Sequence, residues 1–167
     1  MVIYTVDKKN FELQNDEGFI AGRLTYSSNA FDKALIETKD EFRLQLIATG
    51  IWAVILNTSS TEQIITKIKV ETGGIMSIRG FYKRKKYLFK KSANFKLRFS
   101  LFNNEGEDML TLIPSVNWQK ESHDYILQLN DEFEKECDSF LILQAVHCAN
   151  CSLSMMTGGK VPALVSI

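Results

Sequence analysis

A run of basic residues between Arg79 and Arg98 is the part of the sequence best suited to binding chemistry. It holds nine lysine or arginine residues and no acidic residue. Ammonium and guanidinium groups hold phosphate through charge-assisted hydrogen bonds. The attraction between anionic lipid and one basic residue near its surface is worth about 1 kcal/mol of binding free energy. We therefore predict a site for an anionic ligand or phospholipid headgroup, with ligand-binding residues Arg79, Lys83, Arg84, Lys86, Lys90, Lys96 and Arg98.

The geometry of this basic stretch depends on how two strands pair. If residues 91–94 form a hairpin turn and Lys90 lies opposite Lys96, one outer face of the sheet carries the cations Lys86, Lys90, Lys96 and Arg98. A slip of one residue would scatter them over both faces. Other readings are a solvated face, or pairing with segment 105–138, which holds ten acidic residues and two lysines. Nucleic acid is the least favoured partner, since the formal net charge of the chain is zero.

The second group with reactive side chains is a C-x-x-C pair, Cys148 and Cys151, beside His147. Redox pairs of this kind work best at a helix N-terminus, whereas this pair falls near a predicted C-terminus. Zinc needs four ligands, and Cys137 lies about 16 Å away along a helix. We predict buried, unreactive thiols and a buried His147, with no metal and no cofactor. A thiol-dependent enzyme using the pair is the alternative.

No sequence motif of hydrolases, phosphate-binding loops or zinc proteases occurs in the chain. His123 lies in a polar segment that reads as an exposed turn. The sequence therefore predicts a binding module without catalytic residues, for a ligand or membrane surface, with a protein–protein scaffold as the alternative.

Composition predicts one domain over residues 1–167, because 45% of the residues are hydrophobic and the length is typical of one core.

The N-terminus lacks a signal-peptide pattern, and the number of cysteines, three, is odd, which argues against a full set of disulfides. We therefore expect a cytoplasmic protein that could attach peripherally to a membrane. The apolar segment 139–156 is interrupted by Gln144, His147 and Asn150, so we expect no transmembrane span.

Most of the chain up to residue 130 alternates between apolar and polar residues in short runs separated by turns. The clearest run is 95–102, with Phe95, Leu97, Phe99 and Leu101 on one side. Strands spaced by 8–12 residues are typical of barrels and sandwiches, because closure removes exposed edges. We predict a mainly β fold, either a closed barrel or a sandwich.

The period then changes, and we predict a buried helix over about 132–156. Acidic residues at 131–134 suit a helix N-terminus, and Gly158 and Gly159 suit its end. Residues 140–149 are almost wholly apolar, so the helix must be buried on all sides. One polar strip is formed by Gln144, His147, Asn150 and Ser154. Residues 160–167 could add a last strand.

This order of parts resembles the tubby-like fold, shared by tubby C-terminal domains, LURP-one-related proteins and phospholipid scramblases. The resemblance covers nearly the whole chain and is carried by the strand–turn–strand segments 11–18 and 99–106, by Trp118 before the strand of Tyr125, and by the helical segment 138–146.

The resemblance implies a closed antiparallel barrel, here of about 10–12 strands, around a central hydrophobic C-terminal helix. It also implies binding rather than catalysis, because tubby domains bind phosphoinositides through basic side chains on the barrel wall and scramblases act at membranes. The resemblance does not indicate which basic residues of this chain would correspond to those of the family.

Overall fold

The protein is described by a computed structural model that covers residues 1–58, 60–81, 84–93 and 95–158. Within these ranges the chain forms twelve strands and one α-helix. In chain order these are β1 (Val2–Thr5), β2 (Asn10–Gln14), β3 (Ile20–Tyr26), β4 (Lys33–Glu37), β5 (Glu41–Ala48), β6 (Ile51–Asn57), β7 (Glu62–Val70), β8 (Met76–Gly80), β9 (Lys86–Ala93), β10 (Leu97–Phe102), β11 (Asp108–Asn117), β12 (Ser122–Leu129) and α1 (Ser139–Met156).

Each strand pairs antiparallel with its neighbours in sequence, and the sheet closes where β1 meets β12. At this closure Val2 lies opposite Ile126 and Ile3 opposite Tyr125. Because successive side chains point to opposite faces, every strand contributes one row to the lumen and one row to the outer wall. The prediction of a closed antiparallel barrel with a buried C-terminal helix is confirmed.

The alternation in β10 shows how the sequence sets these two faces. Leu97, Phe99 and Leu101 are buried, and Arg98 between them is exposed. The prediction that the strand starts at Phe95 with that ring facing inward is wrong. The strand begins two residues later, and Phe95 is fully exposed in the preceding turn.

Two of the tight turns share a hydrogen-bond pattern, which explains the repeated Asn/Asp-Glu-Gly sequence. The side-chain oxygen of Asn15 accepts from the backbone N–H groups of residues 17 and 19, and that of Asn103 accepts from those of 105 and 107. Gly18 and Gly106 both adopt φ of +83°, which favours glycine. Local sequence therefore determines both hairpins.

The helix begins seven residues later than predicted. Residues Asp131–Phe133 form a separate 3-10 turn, in which Asn130 accepts from the N–H of Glu132. The start of α1 is fixed by Asp138, whose carboxylate accepts from the N–H of Leu141 at 2.9 Å. Two capping residues thus divide a segment that the sequence pattern read as one helix.

The end of the helix agrees with the prediction. α1 stops at Met156, and Gly158 follows with φ of +67°, the left-handed conformation common after a helix. The predicted last strand at 160–167 lies outside the described residues, as does Gly159.

In the described part of the chain, α1 is the one helix long and apolar enough to cross a membrane. Here it lies inside the barrel, and all residues from Leu141 to Leu153 are buried. Its apolar sides meet the inward rows of the strands, which form a single core with it.

Two residues of the polar strip of α1, His147 and Asn150, have hydrogen-bond partners on tyrosines of the barrel wall. Tyr26 Oη lies 2.9 Å from His147 Nδ1 and accepts from Asn150 Nδ2 at 3.2 Å. Tyr125 Oη donates to Asn150 Oδ1 at 2.7 Å. All four residues are at most 2% exposed. The prediction of a buried His147 is confirmed, and the network fixes the rotation of the helix because partners must match buried polar groups.

Helix and wall approach most closely at Gly22 in β3. A Cβ atom built on this residue would lie 2.9 Å from the carbonyl oxygen of Glu37 and 2.9 Å from a methyl carbon of Leu143. The helix therefore packs against β3 at a distance that only glycine permits.

We expect the Gly22→Ala variant to lose about 1–3 kcal/mol of unfolding free energy, because the added methyl group overpacks the contact between helix and wall. Urea denaturation measures the change. Gly80→Ala is the matched control, since its Cβ would meet nothing closer than 3.8 Å. Equal stability of the two variants would contradict the contact.

Stability should also fall in mild acid through His147. Burial lowers the pKa of this imidazole to about 3, whereas the unfolded value is about 6.5. Below pH 6.5 the unfolded chain binds a proton that the folded chain excludes, so stability is complete above that pH and declines towards pH 3. We expect a loss of about 2 kcal/mol between pH 7 and pH 5.

The His147→Gln variant provides the comparison, because glutamine offers Tyr26 an acceptor but does not titrate. Its unfolding free energy should depend less on pH over the same range. His123, whose pKa burial also lowers, adds a contribution of the same sign in both proteins. An unchanged pH dependence in the variant would show that His147 is not the titrating group.

Candidate functional site

Three cations form a row across the outer wall of β7, β8 and β9. Lys67 lies directly opposite Arg79, and Arg79 lies directly opposite Lys86. Directly opposite residues on adjacent strands have Cβ atoms about 5 Å apart, so the row spans about 10 Å. We call these three residues the basic row.

The basic row lacks carboxylate partners among the described residues, since none of its members belongs to an ion pair there. Like charges opposite each other on neighbouring strands destabilise a sheet. Lys67 Nζ lies 5.6 Å from the centre of the Phe81 ring, which supplies weak compensation. The row is therefore a strip of positive charge that an anion would stabilise.

A carboxylate that interacts weakly with Arg79 is occupied by other groups. Glu71 accepts from the Ser77 hydroxyl at 2.8 Å and pairs with Lys69 at 3.3 Å. The Ser77 hydrogen bond, followed by Lys69, lowers the pKa of Glu71, and Arg79 contributes only weakly. Glu71 thus neutralises Lys69 and leaves the basic row largely uncompensated.

The pairing of β9 with β10 differs from the predicted one. Lys90 lies opposite Ser100 rather than Lys96, a shift of four residues along β10. Because four is an even number, Lys86, Lys90 and Arg98 still face outward, as predicted. Lys96 lies in the turn before β10 and does not join them. The predicted turn at 91–94 is wrong because β9 continues through Ala93.

Lys90 and Arg98 lie farther along the wall than the basic row. Lys90 Nζ is 5.0 Å from the centre of the Phe102 ring, and Arg98 lies opposite Ser92. Both belong to the same outer face as Lys86 but approach the opposite end of the barrel. They extend the positive surface without sharing one compact site with the basic row.

Arg84 lies in the loop before β9, at the end of the barrel where α1 begins. There it lines a hollow of about 320 Å³ together with Lys86 and the turn at Asn103 and Asn104, and the carboxylates of Glu105 and Glu136 line the same hollow. Lys86 thus connects this hollow to the basic row. Lys83, also predicted as a ligand-binding residue, lies outside the described residues.

The loop also shows that part of the basic stretch pairs with the acidic segment. Lys85 Nζ lies 2.5 Å from Glu136 Oε1, which also accepts from Tyr87 Oη at 2.8 Å. The alternative reading of charge neutralisation between the two segments therefore holds for Lys85.

Sequence reasoning missed Lys67, because it lies outside the basic stretch. The available signal was the alternation in β7, which puts Lys67 and Lys69 on the polar side. The pairing of β7 with β8, which a single sequence does not reveal, brings Lys67 opposite Arg79.

All three cysteines are free and buried. Burial, followed by the carboxylates of Glu136 and Asp138, raises the pKa of Cys137 to about 12. Burial also raises the pKa of Cys148 and Cys151. The thiolate is the reactive form of cysteine, so these surroundings work against redox or nucleophilic chemistry at the C-x-x-C pair.

His123 is not in an exposed turn, and that prediction is wrong. It lies in β12 opposite Val116, with a side chain 1% exposed, because the turn ends at residue 121. Neither ring nitrogen has a hydrogen-bond partner among the described residues. Burial lowers the pKa of His123 against the opposing effect of Asp124. Over the described ranges, His, Cys, Asp and Glu form no group of three or more able to hold a metal ion.

Comparison of the chain with protein-family models, curated proteins and solved structures finds no match.

Proposed function

We propose that this protein is a non-enzymatic, tubby-like barrel that binds an anionic ligand, a phospholipid headgroup, through the outer face of β7, β8 and β9. The observation that carries the proposal is the basic row, in which Arg79 lies opposite both Lys67 and Lys86 and none of the three forms an ion pair within the described part of the chain. The twelve-stranded closed barrel around a C-terminal helix is compatible with the tubby-like architecture and supports the same proposal.

The chemistry of the row suits phosphate. Arginine offers a planar pair of donors to two phosphate oxygens, and lysine adds a compact charge on a flexible stem. Arg79 lies between two lysines, so one headgroup could contact all three side chains. Lys86 also borders the hollow of Arg84, whose lining includes Glu105 and Glu136, so an anion is held better at the basic row than in the hollow.

In this proposal the protein is cytoplasmic and attaches peripherally to a membrane. Anionic lipid draws basic side chains to the surface by about 1 kcal/mol each, and this attraction weakens with salt. The outer positions of a barrel can meet such a surface without disturbing the core, because inward and outward rows alternate.

A protein–protein scaffold is the second candidate, and a different part of the wall favours it. Tyr4 and Ile126 are about half exposed on adjacent strands, and Ile126 lies opposite Val2 and Ile113. This apolar group lies on β1, β11 and β12, apart from the basic row. If the protein still captures a protein partner after charge reversal of the basic row, the scaffold function is favoured.

We expect the protein to float with vesicles of phosphatidylcholine and phosphoinositide at low salt, and not with phosphatidylcholine alone. The double variant Arg79→Glu/Lys86→Glu should bind at least thirtyfold more weakly, because about 1 kcal/mol per cation is lost before repulsion is added. Lys33→Glu/Lys39→Glu is the control with the same change of net charge; its lysines lie in or beside β4. Equal loss in both variants, or no flotation of the native protein, would overturn the proposal.

Single variants distinguish the basic row from the cluster that the sequence predicts. Lys67→Glu should weaken vesicle binding by about fivefold or more, although Lys67 lies outside the basic stretch. Lys96→Glu should have a smaller effect, because Lys96 lies in a turn away from the row. The reverse order in the same flotation assay would place the site at the β9–β10 turn.

A further inference from the structure

A cleft of about 240 Å³ enters the barrel between α1 and the inner faces of β7, β8 and β9. Its walls are mainly apolar and include Ile65, Ile78, Phe140 and Leu141. It opens at the end of the barrel where α1 begins. Arg79 does not line it, so the cleft and the basic row are separate features of the same strands.

One polar side chain of α1 lines the cleft below its mouth. Gln144 lies one helical turn, about 6 Å, deeper than Phe140, and only 1% of its surface is exposed. Its Nε2 donates to the carbonyl oxygen of Phe140 at 3.3 Å, which fixes the orientation of the amide. Its Oε1 has no hydrogen-bond partner among the described residues.

An unpaired acceptor at this depth is unusual, because burying a polar group without a hydrogen bond is unfavourable. The other polar residues of α1 on this strip, His147 and Asn150, both have partners on the barrel wall. Gln144 differs from these two residues because its side chain lines the cleft, whereas theirs contact tyrosines of the wall.

The mouth of the cleft is polar. Glu136 accepts from both Lys85 and Tyr87, and these three residues border the opening. A ligand therefore meets charged groups at the rim, apolar walls inside and a hydrogen-bond acceptor at depth. This order is typical of small-molecule sites, which combine apolar walls with a few placed polar groups.

We propose that the cleft binds a small, uncharged molecule with one apolar ring and one hydroxyl or N–H donor, which donates to Gln144 Oε1. The volume suits such a ligand, since an apolar cavity of about 150 Å³ is enough for benzene. The unpaired Oε1 of Gln144 favours a ligand that carries a hydrogen-bond donor. A ligand without a donor would leave this oxygen buried and unpaired.

Phenol and toluene are the probes, because they share size and shape and differ in the hydroxyl group. Titration of the native protein is followed by NMR of the methyl groups of Ile65, Ile78 and Leu141, with the Met155 methyl group at the far end of α1 as internal reference. We expect saturable shifts of the three cleft methyl groups, with phenol binding at least tenfold more tightly than toluene.

The Gln144→Leu variant should bind both probes with similar affinity, because the acceptor is lost while the volume is nearly kept. Gln128→Leu is the control, since Gln128 is exposed on the outer wall of β12; it should retain the preference for phenol. Ile65→Phe, which fills the cleft, should weaken both probes at least tenfold. Circular dichroism checks that each variant is folded.

Absence of saturable shifts with either probe would overturn the proposal, and so would equal binding of phenol and toluene by the native protein. A preference for phenol that persists in Gln144→Leu would also overturn it. Vesicle flotation of Gln144→Leu should be unchanged, so failure here is distinguishable from failure of lipid binding at the basic row.

Discussion

The burial of α1 is the constraint on which the rest of the structure depends. Residues 141–153 are buried on every side, and a helix of this kind cannot rest on the surface of a sheet. The diameter of a barrel grows with the number of strands, and eight strands already leave a lumen that side chains just fill. Twelve strands enclose a wider lumen, and a helix about 10–12 Å across fills it. Helix and barrel therefore require each other.

The contacts between α1 and the wall then fix how the helix sits. Gly22 permits the close approach of Leu143 to β3, and Tyr26 and Tyr125 hold His147 and Asn150. A rotation of the helix would separate these hydrogen-bond partners inside the core, where unpaired polar groups are costly. The observed orientation of the helix, held by these contacts, also places Gln144 at the cleft beside β7, β8 and β9. The core network and the cleft are thus consequences of one helix orientation.

Because a helix with its buried thiols fills the lumen, the basic row lies on the outer wall. There the residues that meet are decided by strand register rather than by proximity in sequence. Lys67 and Arg79 come together across β7 and β8, while Lys90 and Arg98 spread towards the other end of the wall. Arg79 and Lys86 of the basic stretch therefore lie side by side on the wall, and Lys67 of β7 completes the basic row.

The local parts of this fold can be predicted from neighbouring residues alone. Alternation in β10, the Asn-Glu-Gly turns and the apolar run of 140–149 predict strands, hairpins and a buried helix, because each depends on residues close together in the chain. Even the incorrect pairing of Lys90 with Lys96 kept the right outer face, since side-chain direction has a period of two.

Contacts between distant residues, in contrast, follow from the folded chain as a whole. The sequence did not place Lys67 opposite Arg79, bury His123 or leave Gln144 beside a cleft, because these depend on register and on helix rotation inside a closed barrel. The sequence also predicted one helix over about 132–156, since the capping roles of Asn130 and Asp138 become visible only with their partners. Pairing across strands and packing across the lumen join residues far apart in sequence, and one chain read alone carries no signal for them.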